Sequence, residues 1–312
     1  MADGGAPQDW DFTLLPFAGL ILRLLDAVGP DTVIEVGADK GDFTAQLLDW
    51  ASGRETTVTA IDPEPAPELL RLAEARPELN LIRLPSPDAL AEALPAGAII
   101  LDGDHNYWTL SRELRAIGER SEGSALPLLL LHDIGWPHAR RDTYYAPDRV
   151  PEEHRQPLAR DALVAPGDPG TASEGMRFAW VAEREGGPGN GILTAVEDFV
   201  AERGGLRLAV IPAFFGLGVL WAEDARWANA VADTVGPWDS IPMLERLEEV
   251  RIGQVLNRTR MNRQQELLRN MLNSRAFTIA ERIARMRGRG NPPFSRERIR
   301  RALGDSPPGD QP

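Results

Sequence analysis

The stretch Leu-Asp-Gly-Asp-His-Asn-Tyr-Trp, residues 101–108, follows the apolar run Ala-Gly-Ala-Ile-Ile and crowds carboxylates and an imidazole where a buried strand ends. A second apolar run, Pro-Leu-Leu-Leu-Leu, ends in His132-Asp133. In an open parallel sheet, neighbouring strands end at one crevice, so Asp102 and Asp133 are expected to face a common site. Two carboxylates brought together either share a proton or hold a hard cation. The chain has no Cys, and oxygen donors without sulfur favour Mg²⁺ or Ca²⁺ over Zn²⁺, while a neighbouring His admits Mn²⁺ or Fe²⁺. Asp102 to Glu113 also meets the ligand positions of an EF-hand loop. Tyr107 stands where that loop needs Gly, however, and a strand pattern precedes it instead of a helix, so this reading is set aside.

A second chemical signal lies upstream. After Thr-Val-Ile-Glu-Val the chain reads Gly37-Ala38-Asp39-Lys40-Gly41 and then a helix pattern opens. Gly37 and Gly41 allow a tight bend and close approach to a ligand, and Asp62 ends the next strand in Thr-Ala-Ile-Asp. A Gly-rich turn followed by such a carboxylate suits a nucleoside, the Asp accepting from ribose hydroxyls. The spacing is neither the dinucleotide fingerprint nor a phosphate loop, which disfavours a nicotinamide oxidoreductase. Glu35 and Asp39 would repel a pyrophosphate but tolerate a cationic ligand.

The elements that must position these residues are legible as an alternation. TVIEVGA, TVTAID, LNLIRLP, AIILDGD and PLLLLHD read as strands, with DFTAQLLDWASG, APELLRLAEAR, SPDALAEAL and TLSRELRAIGER as helices between them. ILTAVEDFVAERGG then forms a helix, followed by LRLAVIPA and GLGVLWAE as a hairpin. The pattern predicts an α/β, Rossmann-like doubly wound sheet, mostly parallel and covered on both faces. The expected organisation is an N-terminal helical segment (1–30), a core domain (31–222) and, within it, a Pro- and Gly-rich lid insertion (134–190). A helical extension (223–290) and a flexible tail (291–312) complete it. Residues Trp136, His138, Arg140, Arg141, Tyr144 and Tyr145 of the lid, with Asp104, are candidates to close over a polar substrate.

Composition bounds the function classes. The chain has 312 residues, 43% hydrophobic and 26% charged, ordinary proportions for a globular protein with one core and additions. The apolar stretch 12–29 is interrupted by Pro16, Arg23 and Asp26, so it reads as an amphipathic helix, not a membrane span or signal peptide; a cytoplasmic protein is expected. Net charge is −13, which disfavours nucleic acid as a partner. Arg251 to Gly304, with 14 Arg against three Glu, is positive by 11 and leaves −24 on the remainder. The apolar positions Leu244, Leu247, Val250, Val255, Leu256, Leu267, Leu268, Met271, Leu272, Ile279 and Ile283 suggest packing against protein, either within the chain or in a homodimer.

Glu35-x-Gly37-x-x-x-Gly41 with the strand-ending Asp62 resembles the first two motifs of class I S-adenosylmethionine-dependent methyltransferases. The resemblance covers about residues 15–222 outside the lid and implies a seven-stranded sheet whose last strand is antiparallel. It implies that Glu35, Gly37 and Gly41 line the methionine end of the cofactor and Asp62 the ribose, while Ser86 and Asp88 match positions that contact adenine. Asp102-Gly103-Asp104-His105 is similar to the metal-dependent O-methyltransferases of the catechol and macrocin types, which have a strand-ending Asp and a base three residues on. Carried over, His105 is the base, and Asp102, Asp133 and His132 hold Mg²⁺ or Mn²⁺. His132 stands where those families have a carboxylate or amide beside the second Asp. The implied activity is metal-assisted O-methylation of a hydroxylated small molecule such as a glycosyl or natural-product acceptor. Alternatives are a metal-independent N- or O-methyltransferase, or a non-catalytic protein acting through its basic C-terminal helices.

Overall fold

In the computed structural model, residues 13–93, 95–123, 125–286 and 295–303 are described. Residues 1–12 of the expected N-terminal segment, and 287–294 and 304–312 at the other end, lie outside them. After a 3₁₀ turn at Leu15–Phe17, helix α1 (Ala18–Val28) buries Leu20, Ile21, Leu24, Leu25 and Val28, the stripe of an amphipathic helix. It stops at Gly29, whose φ of 61° makes the left-handed cap.

Strand and helix then alternate: β1 (Thr32–Val36), α2 (Asp42–Ala51), β2 (Thr57–Ile61), α3 (Pro67–Ala75), β3 (Leu79–Ile82), α4 (Ser86–Ala93), β4 (Ala98–Leu101), α5 (Tyr107–Arg120) and β5 (Leu128–His132). Every residue of β4 and β5 is buried, as continuous apolar runs covered by helices on both faces require. An insertion carries β6 (Leu158–Val164) and β7 (Met176–Ala182), and α6 (Ile192–Arg203), β8 (Leu206–Ile211) and β9 (Leu217–Ala222) close the sheet.

The seven strands are ordered β3-β2-β1-β4-β5-β9-β8. β1 to β5 pair in parallel, and β9 runs antiparallel to both of its neighbours. This is the expected Rossmann-like sheet with an antiparallel last strand. β9 lies between β5 and β8, and the short link from Ile211 to Leu217 makes β8 and β9 an antiparallel hairpin. β1 has β2 on one side and β4 on the other, so strand order reverses there and a crevice opens beyond the carboxyl ends of β1 and β4.

The insertion is not a bare lid loop. Its strands β6 and β7 form a separate antiparallel pair, and the segment leading into it adds to β7 through Tyr144 N–H to Trp180 O (3.1 Å) and Ala182 N–H to Asp142 O (2.8 Å).

Two compact units divide at Arg251/Ile252, inside the long helix α8 (Pro242–Asn273). The first unit therefore reaches past residue 222, taking in α7 (Ala228–Val235), whose Val231 and Val235 join the core of the sheet domain. The second unit has α9 (Arg275–Met286), inside the expected helical extension, and a short helix α10 (Arg296–Ala302) within the segment 291–312 expected to be tail. Its Leu267, Met271, Ile279 and Ile283 are exposed. Among the described residues no helix is long and apolar enough to cross a membrane.

Candidate active site

The Gly-rich turn is built by conformation. Gly37, Asp39 and Gly41 all have positive φ, at 84°, 43° and 82°. A Cβ on Gly37 would lie 2.0 Å from the carbonyl oxygen of Asp102, so the ends of β1 and β4 approach as only Gly allows. Asp62 stands at the end of β2, 9% exposed, and accepts from Asp39 N–H (2.9 Å) and Glu64 N–H (2.8 Å), one on each oxygen. The carboxylate is thereby fixed beside the turn, with lone pairs left for further donors.

Glu35 is buried below this turn and accepts a 2.6 Å bond from Thr44 Oγ1 on α2. Burial pushes its carboxyl up to about 8, against the lowering effect of the Thr44 bond. Ser86, at the start of α4, donates to Glu113 Oε1 on α5. Asp88 is on the exposed side of α4, 3.8 Å from Arg112. Glu113 joins the surroundings of the site through its bond from Ser86. It is buried, at the helical spacing of Leu110, Leu114 and Ile117, and its carboxyl is pushed up to about 8 by burial. A lone Glu on an apolar helical stripe was the available signal.

At the ends of β4 and β5 the sheet brings together Asp102, His105, His132 and Asp133. His132 Nδ1 lies 2.9 Å from Asp102 Oδ1 and 3.4 Å from Asp133 Oδ1. His105 Nε2 lies 3.3 Å from Asp133 Oδ2 and 3.7 Å from Asp102 Oδ1. His138, assigned to the lid, reaches the same group: its Nε2 is 3.8 Å from Asp133 Oδ2 and its ring centroid 4.4 Å from that of His105. His105 Nε2, His132 Nε2 and Asp133 Oδ1 are buried without a hydrogen-bond partner. Asp133 has a φ of 56°, unusual for a residue other than Gly, and the backbone just beyond it is held by Gly135 N–H to Phe215 O (2.6 Å). Phe214 and Phe215 are in turn fixed by N–H bonds of 2.9 and 2.8 Å to Glu248 of α8.

The charges in this cluster oppose burial. Burial alone would raise Asp102, but His132 and His105 outweigh it and hold the carboxyl below its ordinary range. Burial raises Asp133, with His132 and His105 resisting. Burial disfavours charged His132 and His105, yet the carboxylates prevail and raise both, His132 to about 9. His138, buried with two imidazoles beside it, is held well below the usual histidine range.

Asp104 accepts from Asn106 Nδ2 (2.7 Å) and Tyr145 N–H (3.3 Å) at the rim. Tyr145 is 77% exposed with its ring 5.8 Å from that of His105. Trp136 precedes a cis peptide bond to Pro137, and its indole Nε1 is buried without a partner.

The remaining lid candidates, Arg140, Arg141 and Tyr144, are engaged by other parts of the protein. Arg140 forms a two-pronged pair with Glu197 of α6 (2.5 and 2.7 Å). Arg141 is fully buried, donating to the carbonyls of Ala182 (2.8 Å), Gly170 (3.0 Å) and Asp168 (3.3 Å). Tyr144 is buried and donates to Asp142 Oδ2 (2.8 Å). Asp142 is a further organising residue of the insertion. Its other oxygen takes N–H bonds from Tyr107 (2.8 Å) and Gly191 (2.7 Å), tying the insertion to the starts of α5 and α6. No local pattern marks it, because its partners are distant in the chain.

The donor set fits a divalent cation. Asp102, His132 and Asp133 offer ligand atoms within 4.8 Å of one another, and Asp133 Oδ1 among them is buried without a hydrogen-bond partner.

No protein-family model and no curated protein matches the chain. Solved structures do. An SAH-bound methyltransferase from Podospora anserina is 13% identical with a TM-score of 0.43, over 70% of this chain and 83% of that one. A 1,6-didemethyltoxoflavin-N1-methyltransferase from Burkholderia thailandensis is 13% identical with a TM-score of 0.38, over 68% and 79%. The N,N-8-amino-8-demethyl-D-riboflavin dimethyltransferase of Streptomyces davawensis is 17% identical with a TM-score of 0.37, over 67% and 53%.

Proposed function

We propose that the chain is a class I S-adenosylmethionine-dependent methyltransferase acting on a hydroxyl of a small molecule, assisted by a divalent cation. The observation that carries this reading is a juxtaposition. The Gly37–Gly41 turn with Asp62 and the Asp102-His105-Asp133 group occupy the same carboxyl edge of one sheet, at its switch point.

When bound, S-adenosylmethionine supplies an electrophilic methyl group on a sulfonium that leaves as a neutral thioether. Asp62, anchored by two backbone N–H groups, would accept from the ribose hydroxyls. The acidic surroundings of the turn suit a cationic ligand. Asp102, His132 and Asp133 would hold Mg²⁺ or Mn²⁺, whose chemistry is to acidify and orient a hydroxyl. His105 takes the acceptor's hydroxyl proton on Nε2, and Asp133, 3.3 Å away, balances the resulting charge. Tyr145, exposed beside His105, offers a face for a sugar or aromatic ring.

Calorimetric titration of S-adenosylmethionine into wild type and Asp62→Ala, with and without Mg²⁺, tests the reading. Saturable binding by wild type that Asp62→Ala loses is the expected result. A well-folded wild type that binds no S-adenosylmethionine overturns it.

A further inference from the structure

Of the four histidines in the chain, three converge on the carboxylate of Asp133. Its two oxygens are divided between them. Oδ1 faces His132, while Oδ2 faces His105 at 3.3 Å and His138 at 3.8 Å. Two groupings result, each with ligand atoms within 4.8 Å of one another: Asp102 with His132 and Asp133, and His105 with Asp133 and His138. Only the first is used by the methyl-transfer reading as a metal site.

The second grouping has the supports of a built site. His105 Nε2 is buried without a hydrogen-bond partner, 3.3 Å from Asp133 Oδ2. His138 is oriented from behind: Nδ1 lies 3.0 Å from Thr143 Oγ1, and its ring meets Phe178 edge to face at 5.6 Å. In the tautomer that donates from Nδ1 to Thr143, Nε2 keeps its lone pair free, 3.8 Å from Asp133 Oδ2. An imidazole lone pair this close to a buried carboxylate oxygen suits a cation held by both.

We propose that His105, Asp133 and His138 form a second metal site, filled by a borderline divalent transition metal, with Asp133 bridging the two sites. Two imidazoles and one carboxylate are the donors such an ion selects over Mg²⁺. Because a metal there occupies Nε2 of His105, it removes the lone pair that proton abstraction needs. That consequence rests on the methyl-transfer reading, whereas the site itself rests on the geometry alone.

The test is Co²⁺ titration of the full-length, chelator-stripped protein, followed by visible absorption and by cobalt content after gel filtration. Wild type is expected to retain two cobalt ions per chain and His138→Ala one. Should His138→Ala fail to fold, Thr143→Val is expected to weaken one of the two sites by roughly 10–100-fold and spare the other. A wild type that binds one cobalt or none overturns the proposal, as do variants that keep both sites at unchanged affinity. S-adenosylmethionine binding, measured separately, keeps the two readings apart. Two cobalt ions without cofactor binding leaves the metal site standing and removes the methyltransferase, and cofactor binding with one cobalt does the reverse.

Discussion

His105 Nε2 lies 3.3 Å from Asp133 Oδ2, which joins the turn after β4 to the end of β5 across two parallel neighbours. Both side chains are about nine-tenths buried, so the contact is held by packing and not by a mobile surface pair. Under the proposed function this imidazole is the proton acceptor, with a carboxylate beside it to stabilise its charged form.

Replacing His105 by Ala should lower methyl transfer to a hydroxylated acceptor by roughly 10²–10⁴-fold, the usual worth of a positioned general base. Affinity for S-adenosylmethionine should stay nearly unchanged, because His105 is outside the turn that holds Asp62. Steady-state kinetics beside calorimetry separates the two; full activity in His105→Ala would remove it as the base.

Gly37→Ala should be strongly destabilising. The new Cβ would sit 2.0 Å from the Asp102 carbonyl oxygen, at a φ of 84° that Ala avoids. A loss of about 2 kcal/mol or more is expected, read as a fall in the denaturant midpoint, together with loss of cofactor binding.

The stability of the protein should fall as pH rises through the range set by Glu113. Its folded carboxyl titrates at about 8 against 4.5 ordinarily, so between these values the folded state binds the extra proton. The stabilisation is complete below about 4.5 and is lost as pH rises through about 8, an effect on the order of a few kcal/mol. Glu113→Gln should flatten this fall in urea unfolding series. Glu35 acts with the same sign, so replacing both carboxylates should flatten the curve further than either alone.

The two neighbouring arginines of the insertion should behave differently. Arg141→Ala leaves three carbonyls without their donor in a buried site and should cost about 2–4 kcal/mol, with rapid proteolytic cutting within 134–190. Arg140→Ala removes a half-exposed pair and should cost only ~0.5 kcal/mol by thermal or denaturant unfolding.

What could be read along the chain was whatever short-range pattern specifies. Apolar runs and helical spacing marked the five parallel units and the closing hairpin, because burial on two faces or one leaves a local period. The Gly37–Gly41 turn and the strand-ending Asp62, Asp102 and Asp133 were visible for the same reason, since a turn and a strand end are local events. Tertiary structure alone decided the rest. His138 looked like a loop residue until the fold set it against His105, and Arg141, beside it in type to Arg140, became a buried anchor instead of a substrate contact. Asp142 and Glu113 take their roles from partners far away in the chain. Periodicity records which face of an element is buried. It does not record which other element's atoms are met there, and the chemistry of this site lies in those meetings.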